Sequence, residues 1–459
     1  MTKPTTKTAK DGRNIKSPKK RSGKKSIPES RVDRLLQLGG LAARVAGGVA
    51  SAVGSGLAVG RDIALARLHE ETAAKLLETM SDMKGLPMKL GQIISFMDGV
   101  IPPEVQPIYR KTLAKLQVKS KPVPWPDMEQ ELITALGCPL NDLFREFSPE
   151  PIAAASIGQV YLAQTKAGEK VAVKVQYPGI RVAMQSDLKN INAVLSTLTN
   201  AIPRLDVGKM AQDFLMRVSD ECDYVQEARN QQEFHEIWKN DPVVIVPKVF
   251  HELSRKNVLV TEFCEGMSFR ELVDKRSRQL KNDAGATLYR FVMHSIDVHG
   301  LFNADPHPGN FLFRDDSRVV FIDFGCVQRY DEAARKSMLA ARRAALDGLR
   351  DADLWPYLAD IMQFRKEVPL STQKILTEYL SFCMEPVLAR QPYRFTPEYT
   401  ARISELTMKM KLDITKNLLR DGWSEPRRDG LVHMGRIVFG LYSLLAEIRA
   451  ENNWLTLLA

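Results

Sequence analysis

Two carboxylates and one amide that could hold a divalent cation lie in one stretch of the sequence, residues 303–325. Asn310 follows Asp305 by five positions, and Asp323 follows Asn310 by thirteen. Carboxylate and amide oxygens are the ligands that Mg²⁺ takes beside phosphate oxygens, and a further carboxylate can orient an attacking hydroxyl. Residues 318–324 alternate into a β-branched run, which predicts a strand that carries Asp323. The alternative is a Pro- and Gly-rich turn followed by an ordinary hairpin.

A second set of residues, earlier in the chain, could contact the phosphates. Lys174 lies in an apolar strand-like run, residues 171–175, and follows Val160 by fourteen positions. In kinase-type nucleotide sites the pattern G-x-G-x-x-G-x-V covers the phosphates, and the lysine of a V-A-I-K strand meets them. The candidate phosphate-covering residues here are Ala153, Ala154, Ala155, Ser156, Ile157, Gly158 and Val160.

Alanine replaces glycine at two positions of this loop. Ala153 and Ala155 stand where the pattern has its first two glycines, whereas Gly158 and Val160 fit it. A phosphate cover needs backbone N–H groups close to anionic oxygens, and alanine adds the least bulk of any side chain. Because alanine lacks the positive-φ freedom of glycine, we expect a stiffer loop than a glycine-rich one.

Two further stretches would complete a nucleotide pocket. Residues 262–265 follow a predicted strand at residues 257–263, and backbone groups of Glu262 and Cys264 would there read the edge of an adenine. An amphipathic pattern predicts a helix at residues 209–238, and any of its acidic side chains could pair with Lys174. The spacing does not choose among the four: Glu221, Asp223, Glu227 and Glu233.

The net charge of +10 is concentrated in an N-terminal tail. Residues 1–25 hold ten Lys and Arg and one Asp, so they supply nine of the ten net positive charges. Residues 1–30 contain almost no large apolar side chain, which predicts a disordered basic tail. Such a tail contacts anionic lipid, binds nucleic acid or only keeps the chain soluble. Nucleic acid is not the favoured partner, because the rest of the chain is nearly neutral.

Cysteine usage and hydropathy favour a cytoplasmic protein. The five cysteines are scattered without a C-x-x-C pair, which argues against a zinc site or a disulfide framework and favours a reducing compartment. Residues 35–60 are small and apolar, but Arg44 interrupts them. The uncharged run at residues 45–60 is shorter than the ~20 residues of a membrane-spanning helix. We expect peripheral contact with the inner face of a membrane through residues 1–60.

The last third of the chain is predicted to be almost wholly helical. The strongest periodic segments are residues 355–364, 374–388, 400–419 and 431–448, and a charged helix is predicted at residues 331–349. Further helix is predicted at residues 184–198, and a helix followed by a loop at residues 131–149. A strand is predicted at residues 243–250.

Taken together, these motifs resemble those of the UbiB/ADCK family, the aarF-domain atypical kinases, from about residue 84 to beyond residue 325. The matching motifs are KxGQ (Lys89–Gln92), AAASIGQV (Ala153–Val160), VAVK (Val171–Lys174), ECDYVQEA (Glu221–Ala228), ADPHPGN (Ala304–Asn310) and DFG (Asp323–Gly325).

The resemblance implies an α+β fold of the bilobal protein-kinase type. A mixed N-lobe would span residues 126–265 and a mostly helical C-lobe residues 266–459. A helical N-terminal extension at residues 31–125, which carries the KxGQ helix, would fold over the active site. The family also implies ATP or ADP with Mg²⁺ as ligands, and a role in coenzyme Q or other isoprenoid-lipid metabolism at a membrane. Its partners would be the lipid or lipid-biosynthesis enzymes, and a homodimer is left open.

The same resemblance implies individual roles for the site residues. Lys174 would pair with Glu227. Asp305 would be the catalytic aspartate, and Asn310 and Asp323 would bind the metal.

Lys89 and Gln92 of the KxGQ motif would approach the nucleotide, together with Glu221 and Asp223. In this family the Ala-rich loop is linked to unusual nucleotide selectivity, including a preference for ADP.

Two departures from ordinary kinases bear on the acceptor. No H-R-D precedes Asp305, and no A-P-E follows the DFG, so the usual platform for a peptide substrate is missing. An ATPase or small-molecule kinase in quinone-lipid metabolism is therefore the leading hypothesis. The alternatives are a Ser/Thr protein kinase and a nucleotide-gated scaffold without catalysis.

Overall fold

The structure is a computed structural model that describes residues 70, 123–155, 157–182, 222–303, 305–364, 367–421 and 430–458. Strands and helices are both present, and nine of the eleven described strands lie before residue 330. The strands are β1 (Phe144–Ala154), β2 (Gly158–Thr165), β3 (Lys170–Gln176), β4 (Val244–Ile245), β5 (Val258–Glu262), β6 (Leu301–Asn303), β7 (Phe311–Phe313), β8 (Val319–Phe321), β9 (Val327–Arg329), β10 (Tyr393–Arg394) and β11 (Glu451–Asn452).

Of the described helices, two lie before the first strand, and the others follow the third strand. They are α1 (Trp125–Leu136), α2 (Leu140–Leu143), α3 (Tyr224–Trp238), α4 (Phe269–Lys275), α5 (Arg278–His299), α6 (Glu332–Leu346), α7 (Trp355–Met362), α8 (Leu370–Leu388), α9 (Pro397–Asp421) and α10 (Gly430–Glu447). Short 3₁₀ turns lie at Pro308–Asn310, Asp351–Leu354 and Thr456–Leu458. The helices predicted at residues 331–349, 355–364, 374–388, 400–419 and 431–448 are confirmed as α6 to α10.

The first sheet is antiparallel, with strand order β1-β2-β3-β5. Successive side chains of a strand point to opposite faces. On β3, Val171, Val173 and Val175 are fully buried on one face, where they pack with the apolar side of α1. Ala172 and Lys174 therefore point to the other face. The hydrophobic alternation of VAVKV thus turns the lysine away from the core.

Strand β1 corrects the prediction of a loop after the helix at residues 131–149. Phe144 and Phe147 pack on the core, but most of the strand is exposed, and it forms the edge of the sheet. Its pairing with β2 has register shifts around Pro151, and Pro149 lies within one of them. Proline is tolerated in a strand at an edge or a bulge, where its missing N–H is not needed. Pro149 and Pro151 therefore mark an irregular edge strand where a loop was predicted.

Two other predicted elements have different bounds. The strand predicted at residues 243–250 is reduced to β4, because Pro247 interrupts the run before an isolated bridge at Val249. Within the described part of the predicted helix 209–238, α3 begins only at Tyr224. The Asp223 carboxylate accepts hydrogen bonds from the N–H groups of the next turn and so caps this helix. Val225, which was expected on the buried face, is exposed.

A second core lies below the first sheet and is mostly helical. Its centre is aromatic: the rings of Phe291 on α5 and Phe321 on β8 stack with centroids 3.6 Å apart. Strand β8 pairs with β7 in a hairpin and with β4 in parallel, while β6 pairs with β9. This arrangement places the ends of β6 and β8, which lead into Asp305 and Asp323, beside each other.

Within the described residues, no helix has the length and apolar character needed to cross a bilayer. The tail at residues 1–30, the extension up to residue 122, the apolar run at residues 35–60 and the helix predicted at residues 184–198 lie outside the described residues. The domain boundaries given above remain predictions.

Candidate functional site

Lys174 and Glu227 form an ion pair between β3 and α3. The Lys174 Nζ lies 2.7 Å from Glu227 Oε1, and the Glu227 side chain is only 3% exposed. Glu227 lies in the first turn of α3, directly after the Asp223 cap. The structure thus selects one of the four acidic candidates. It brings together the pair that the family resemblance implies.

We call the space that Lys174 of the first sheet and Asp323 of the lower core face the cleft. Lys174 also contacts the lower wall of this cleft. Its Nζ lies 3.5 Å from Asp323 Oδ2 and 5.0 Å from the ring centroid of Tyr224. Burial acts to lower the pKa of Lys174, but the nearby carboxylates of Asp323 and Glu227 outweigh it and hold that pKa well above its ordinary value. The amine is therefore protonated at neutral pH and presents a fixed positive charge to the cleft.

Asp323 is positioned by the residues on both sides of it. The N–H of Ile322 donates to the Asn310 carbonyl at 3.0 Å, and Asp323 Oδ1 accepts from the Gly325 N–H at 3.0 Å. Phe324 is fully buried, with its ring centroid 4.9 Å from that of Phe234 on α3. The buried ring anchors the backbone so that the preceding carboxylate faces the cleft.

Asp305 and Asn310 are joined directly. Asn310 Nδ2 donates to both the carbonyl and the Oδ2 of Asp305, each at 3.0 Å. The 3₁₀ turn Pro308–Asn310 supplies the bend that brings the two side chains together, and His307 caps it by accepting from the Gly309 N–H. Since both bonds use Nδ2, Oδ1 of Asn310 remains available for a cation.

Asn303 connects the two carboxylate-bearing segments, and the sequence reasoning missed this role. Its Nδ2 donates to the Asp323 carbonyl, and its Oδ1 accepts from the Asp305 N–H at 3.1 Å. The sequence showed only that Asn303 stands two positions before Asp305, where H-R-D kinases have histidine. A polar side chain at that spacing was the one available signal.

Asn230 was also missed. It lies three positions after Glu227 on α3, so the two share a helix face, and its Nδ2 donates to the Phe324 carbonyl at 3.0 Å. A buried polar residue one turn from the predicted lysine partner was the signal that would have identified it.

The donor set fits Mg²⁺ bound together with phosphate. Within the described residues, no three His, Cys, Asp or Glu side chains come together as a metal-binding group. Mg²⁺ does not require such a group, because it binds through one or two carboxylates together with substrate phosphates and water. Asp323 and Asn310 supply one carboxylate and one amide oxygen, with the Asp305 carboxylate beside them. The chemistry of these donors therefore suits a metal–nucleotide complex and not an all-protein cage.

The Ala-rich loop is a tight hairpin turn between β1 and β2. Ala153 pairs with Val160 and Ala154 with Gln159, and the Ala155 N–H donates to the Gly158 carbonyl at 2.9 Å. Ser156 lies outside the described residues. The hairpin is therefore hydrogen-bonded almost to its tip, in keeping with the expected stiffness.

Two residues of the hairpin face β3 or the core. The Ile157 side chain is buried in the core, so only its backbone is available to a ligand. At Gly158, an added Cβ would lie 2.1 Å from the Val175 carbonyl oxygen. Glycine is required at this position by the close approach of β3. Val160 stands directly opposite Lys174 in the register and so shares its face of the sheet.

The predicted adenine edge follows β5. The Glu262 N–H donates to the Lys248 carbonyl at 2.8 Å, and the Phe263 N–H donates to the Lys170 carbonyl at 3.1 Å. The N–H of Cys264 has no partner among the described residues, so it is the donor available to a ligand. Burial and the neighbouring Glu262 carboxylate raise the pKa of the Cys264 thiol to about 12. The thiol therefore stays protonated.

Besides Ser156, three expected participants cannot be placed. Lys89, Gln92 and Glu221 lie outside the described residues. Asp223 is placed, and its carboxylate binds the N–H groups of Val225 and Gln226 at 3.1 and 3.3 Å. Its observed role is to cap α3, which fixes where Glu227 falls on the helix.

Comparison with known proteins places this geometry in a family. The family model described as the ABC1 atypical kinase-like domain matches residues 115–351. The atypical kinase COQ8, mitochondrial, of Saccharomyces cerevisiae is 32% identical over 339 residues, which cover 72% of this chain and 66% of that protein. The chloroplastic protein ACTIVITY OF BC1 COMPLEX KINASE 3 of Arabidopsis thaliana is 36% identical over 256 residues, covering 55% of this chain and 35% of that protein.

A solved structure shares the fold. The complex of Rv3197 with erythromycin from Mycobacterium tuberculosis superposes with a TM-score of 0.60 at 26% sequence identity, covering 86% of this chain and 97% of that one. The α+β kinase-like fold expected from the sequence is thereby confirmed. The alignments span from about a third to two thirds of the lengths of the two named relatives. The match of the family model to residues 115–351 shows that this chain belongs to the ABC1 atypical kinase-like family, the UbiB/ADCK group.

Proposed function

We propose that this protein binds a magnesium–nucleotide complex and transfers the terminal phosphoryl group of ATP to water or a small molecule in quinone or other isoprenoid-lipid metabolism. One observation carries the proposal. A lysine held by a buried glutamate lies 3.5 Å from the DFG aspartate, and that aspartate is tied through Asn303 to the Asp305–Asn310 pair. These are the parts that phosphoryl transfer requires, since its catalysis is mainly positioning and charge stabilisation.

The chain's own groups have separable tasks in this reaction. Lys174, oriented by Glu227 and kept protonated, binds phosphate oxygens. Asp323 and Asn310 hold the metal, and bound Mg²⁺ would neutralise charge that develops on the phosphate. The Asp305 Oδ2 is occupied by Asn310, so Oδ1 is the oxygen that accepts the proton of an attacking hydroxyl.

The segment after the DFG supports a small acceptor over a peptide. The chain passes from Gly325 through β9 into α6, which begins at Glu332. Strand β9 is paired with β6, with Val327 opposite Asn303. Only residues 326–331 separate the DFG from α6, and three of them pair with β6, which supports an acceptor smaller than a peptide. A Ser/Thr protein kinase is for that reason the weaker interpretation.

The lipid side of the proposal rests on family membership and on the basic tail. We propose that residues 1–60 contact the inner face of a membrane, and that an isoprenoid lipid or an enzyme acting on it is the partner there. Co-sedimentation with anionic vesicles should be weaker for a chain that lacks residues 1–60 than for the full chain. Equal binding by both would remove the tail from the proposal.

Turnover of labelled ATP tests the catalytic claim. The full chain should hydrolyse or transfer phosphate only with Mg²⁺, and anionic vesicles with quinone-precursor phenols should raise the rate. Asp323→Asn should lower turnover by about 100-fold or more, because losing a ligand costs at least as much as losing an outer-shell partner. Asp316→Asn, in the exposed turn after β7, is the matched control and should turn over normally.

Two outcomes contradict this assignment. If the wild-type chain turns over no nucleotide under any lipid condition, the enzyme proposal fails. If Asp323→Asn keeps full turnover, the DFG residues do not hold the metal.

A further inference from the structure

Two successive carbonyl groups of the DFG segment are each held by an asparagine amide from a different element. Asn303, at the end of β6, donates to the Asp323 carbonyl. Asn230, on α3, donates to the Phe324 carbonyl at 3.0 Å. The backbone that directly follows the Cα of Asp323 is thus held from two directions, from within the lower core and from the helix that carries Glu227.

Asn230 is buried, and both its amide oxygen and its amide nitrogen have partners. Its side chain is 3% exposed, and its Oδ1 accepts from Gln226 Nε2 at 3.0 Å and from Arg329 Nη2 at 3.1 Å. A guanidinium can only donate, so the amide oxygen must face Arg329 and the amide nitrogen must face the Phe324 carbonyl. The orientation of Asn230 is therefore set by its surroundings.

Arg329 connects this amide to the strand that follows the DFG. It lies on β9 opposite Leu301 of β6, and the same Nη2 lies 2.6 Å from Glu233 Oε2 on α3. A closed chain of contacts therefore runs from α3 through Asn230 to Phe324 and returns through Arg329 and Glu233. Asp323 directly precedes Phe324, so it lies at one end of this chain of contacts. None of the bonds needs a phosphorylated segment or a second protein.

We propose that Asn230 and Arg329 are positioning residues for the cation site: they hold the Phe324 carbonyl so that the Asp323 carboxylate is preorganised for Mg²⁺. This rests on the proposed metal–nucleotide function and adds to it the residues that set its metal affinity. Outer-shell groups that orient a ligand typically change metal affinity 10- to 100-fold when they are removed. Asn230 acts one peptide away from the ligand and belongs to that class.

Three substitutions at Asn230 and Arg329 remove different contacts. Asn230→Asp keeps the size of the side chain and an oxygen for Arg329, but replaces the donor with an oxygen that repels the Phe324 carbonyl. Asn230→Ala removes both contacts and leaves the carbonyl without a partner. Arg329→Gln leaves Asn230 in place and removes the guanidinium that orients it, together with the half-exposed ion pair to Glu233.

The test is Mn²⁺ binding in the presence of ADP, measured by electron paramagnetic resonance on the full chain. Binding of fluorescent ADP without metal is measured in parallel. Asn230→Asp and Asn230→Ala should raise the Mn²⁺ concentration for half-saturation about 10- to 100-fold, and Arg329→Gln about three- to tenfold, with metal-free ADP affinity unchanged. Gln232→Ala, which removes a surface contact with Glu236 on the same helix, should leave both quantities unchanged.

The results separate this inference from the function on which it rests. If the wild-type chain binds no Mn²⁺ with ADP, the proposed function fails. If it does bind, but folded Asn230→Asp binds Mn²⁺ within twofold of wild type, the positioning role is overturned. If the Asn230 variants do not fold, Arg329→Gln decides by the same threshold. Equal losses of metal and metal-free ADP affinity would show a general structural effect and also overturn it.

Discussion

The two walls of the cleft are held in place by different means. On the upper wall, Lys174 and the Ala-rich hairpin are set by strand register and by close packing, as at Gly158 against β3. On the lower wall, Asp305 and Asp323 are set by the side-chain amides of Asn303, Asn310 and Asn230. Packing depends on volume, whereas amide bonds depend on which atom donates. The two walls should therefore respond to different substitutions.

Gly158→Ala gives the largest expected effect and tests the upper wall. The added methyl would lie 2.1 Å from the Val175 carbonyl oxygen, and this backbone overlap cannot be relieved by a side-chain rotation. We expect the free energy of unfolding in urea to fall by about 2–3 kcal/mol. Gly309→Ala on the lower wall is the comparison, because its methyl would meet only the His307 ring, at 3.0 Å. A loss as large in Gly309→Ala as in Gly158→Ala would erase the distinction between the walls.

Asn303→Asp tests the lower wall with almost no change in volume. The variant cannot donate to the Asp323 carbonyl. It keeps an oxygen for the Asp305 N–H, but its second carboxylate oxygen faces the Asp323 carbonyl oxygen and repels it. We expect kcat for ATP turnover to fall about tenfold or more, because the metal-binding carboxylate loses its orientation. The free energy of unfolding should change by less than about 1 kcal/mol. Unchanged kcat in a folded variant would mean that packing alone positions the lower wall.

Glu227→Gln gives the smallest expected effect and tests the contact between the walls. In the folded protein the pKa of Lys174 lies above its ordinary value. The charge on Lys174 therefore stabilises the fold fully at pH values below the ordinary pKa, and this stabilisation is lost as the pH rises through the folded pKa. Removing one of the two carboxylates lowers the folded pKa, so the alkaline loss should begin at lower pH. Melting temperatures from about pH 8 to pH 11 measure this shift.

Glu236→Gln is the matched control for this measurement. Glu236 pairs with Lys239 on the exposed side of the same helix. Its replacement should leave the alkaline limb of the melting curve in place. Coincident curves for Glu227→Gln and wild type would show that Asp323 alone holds the Lys174 charge.

The sequence predicted the upper wall better than the lower one. The apolar run at residues 171–175 predicted the strand that carries Lys174, and the local period of two then sets the face on which the lysine lies. It could not select Glu227, since that choice depends on where α3 begins, and Asp223 was not recognised as its cap. Pro149 and Pro151 concealed an edge strand whose irregular pairing only the folded sheet reveals.

On the lower wall, the spacing of Asp305, Asn310 and Asp323 predicted the ligands but not what orients them. Asn303 acts on a residue twenty positions later in the chain, and Asn230 on one ninety-four positions later. Such contacts exist only once α3, β6 and β8 have assembled. Asparagine is common at exposed sites, so no pattern in the sequence distinguishes Asn303 and Asn230 from surface asparagines.

The pairing of β6 with β9 has a consequence for how this protein can change over evolutionary time. Val327 is locked opposite Asn303, and a slip of one residue would turn Arg329 to the other face of its strand, away from Asn230. Substitutions inside the intervening segment leave this register intact, but insertions or deletions next to β9 do not. Changes in chain length must therefore fall outside this closed segment, whereas changes within it are limited to substitutions.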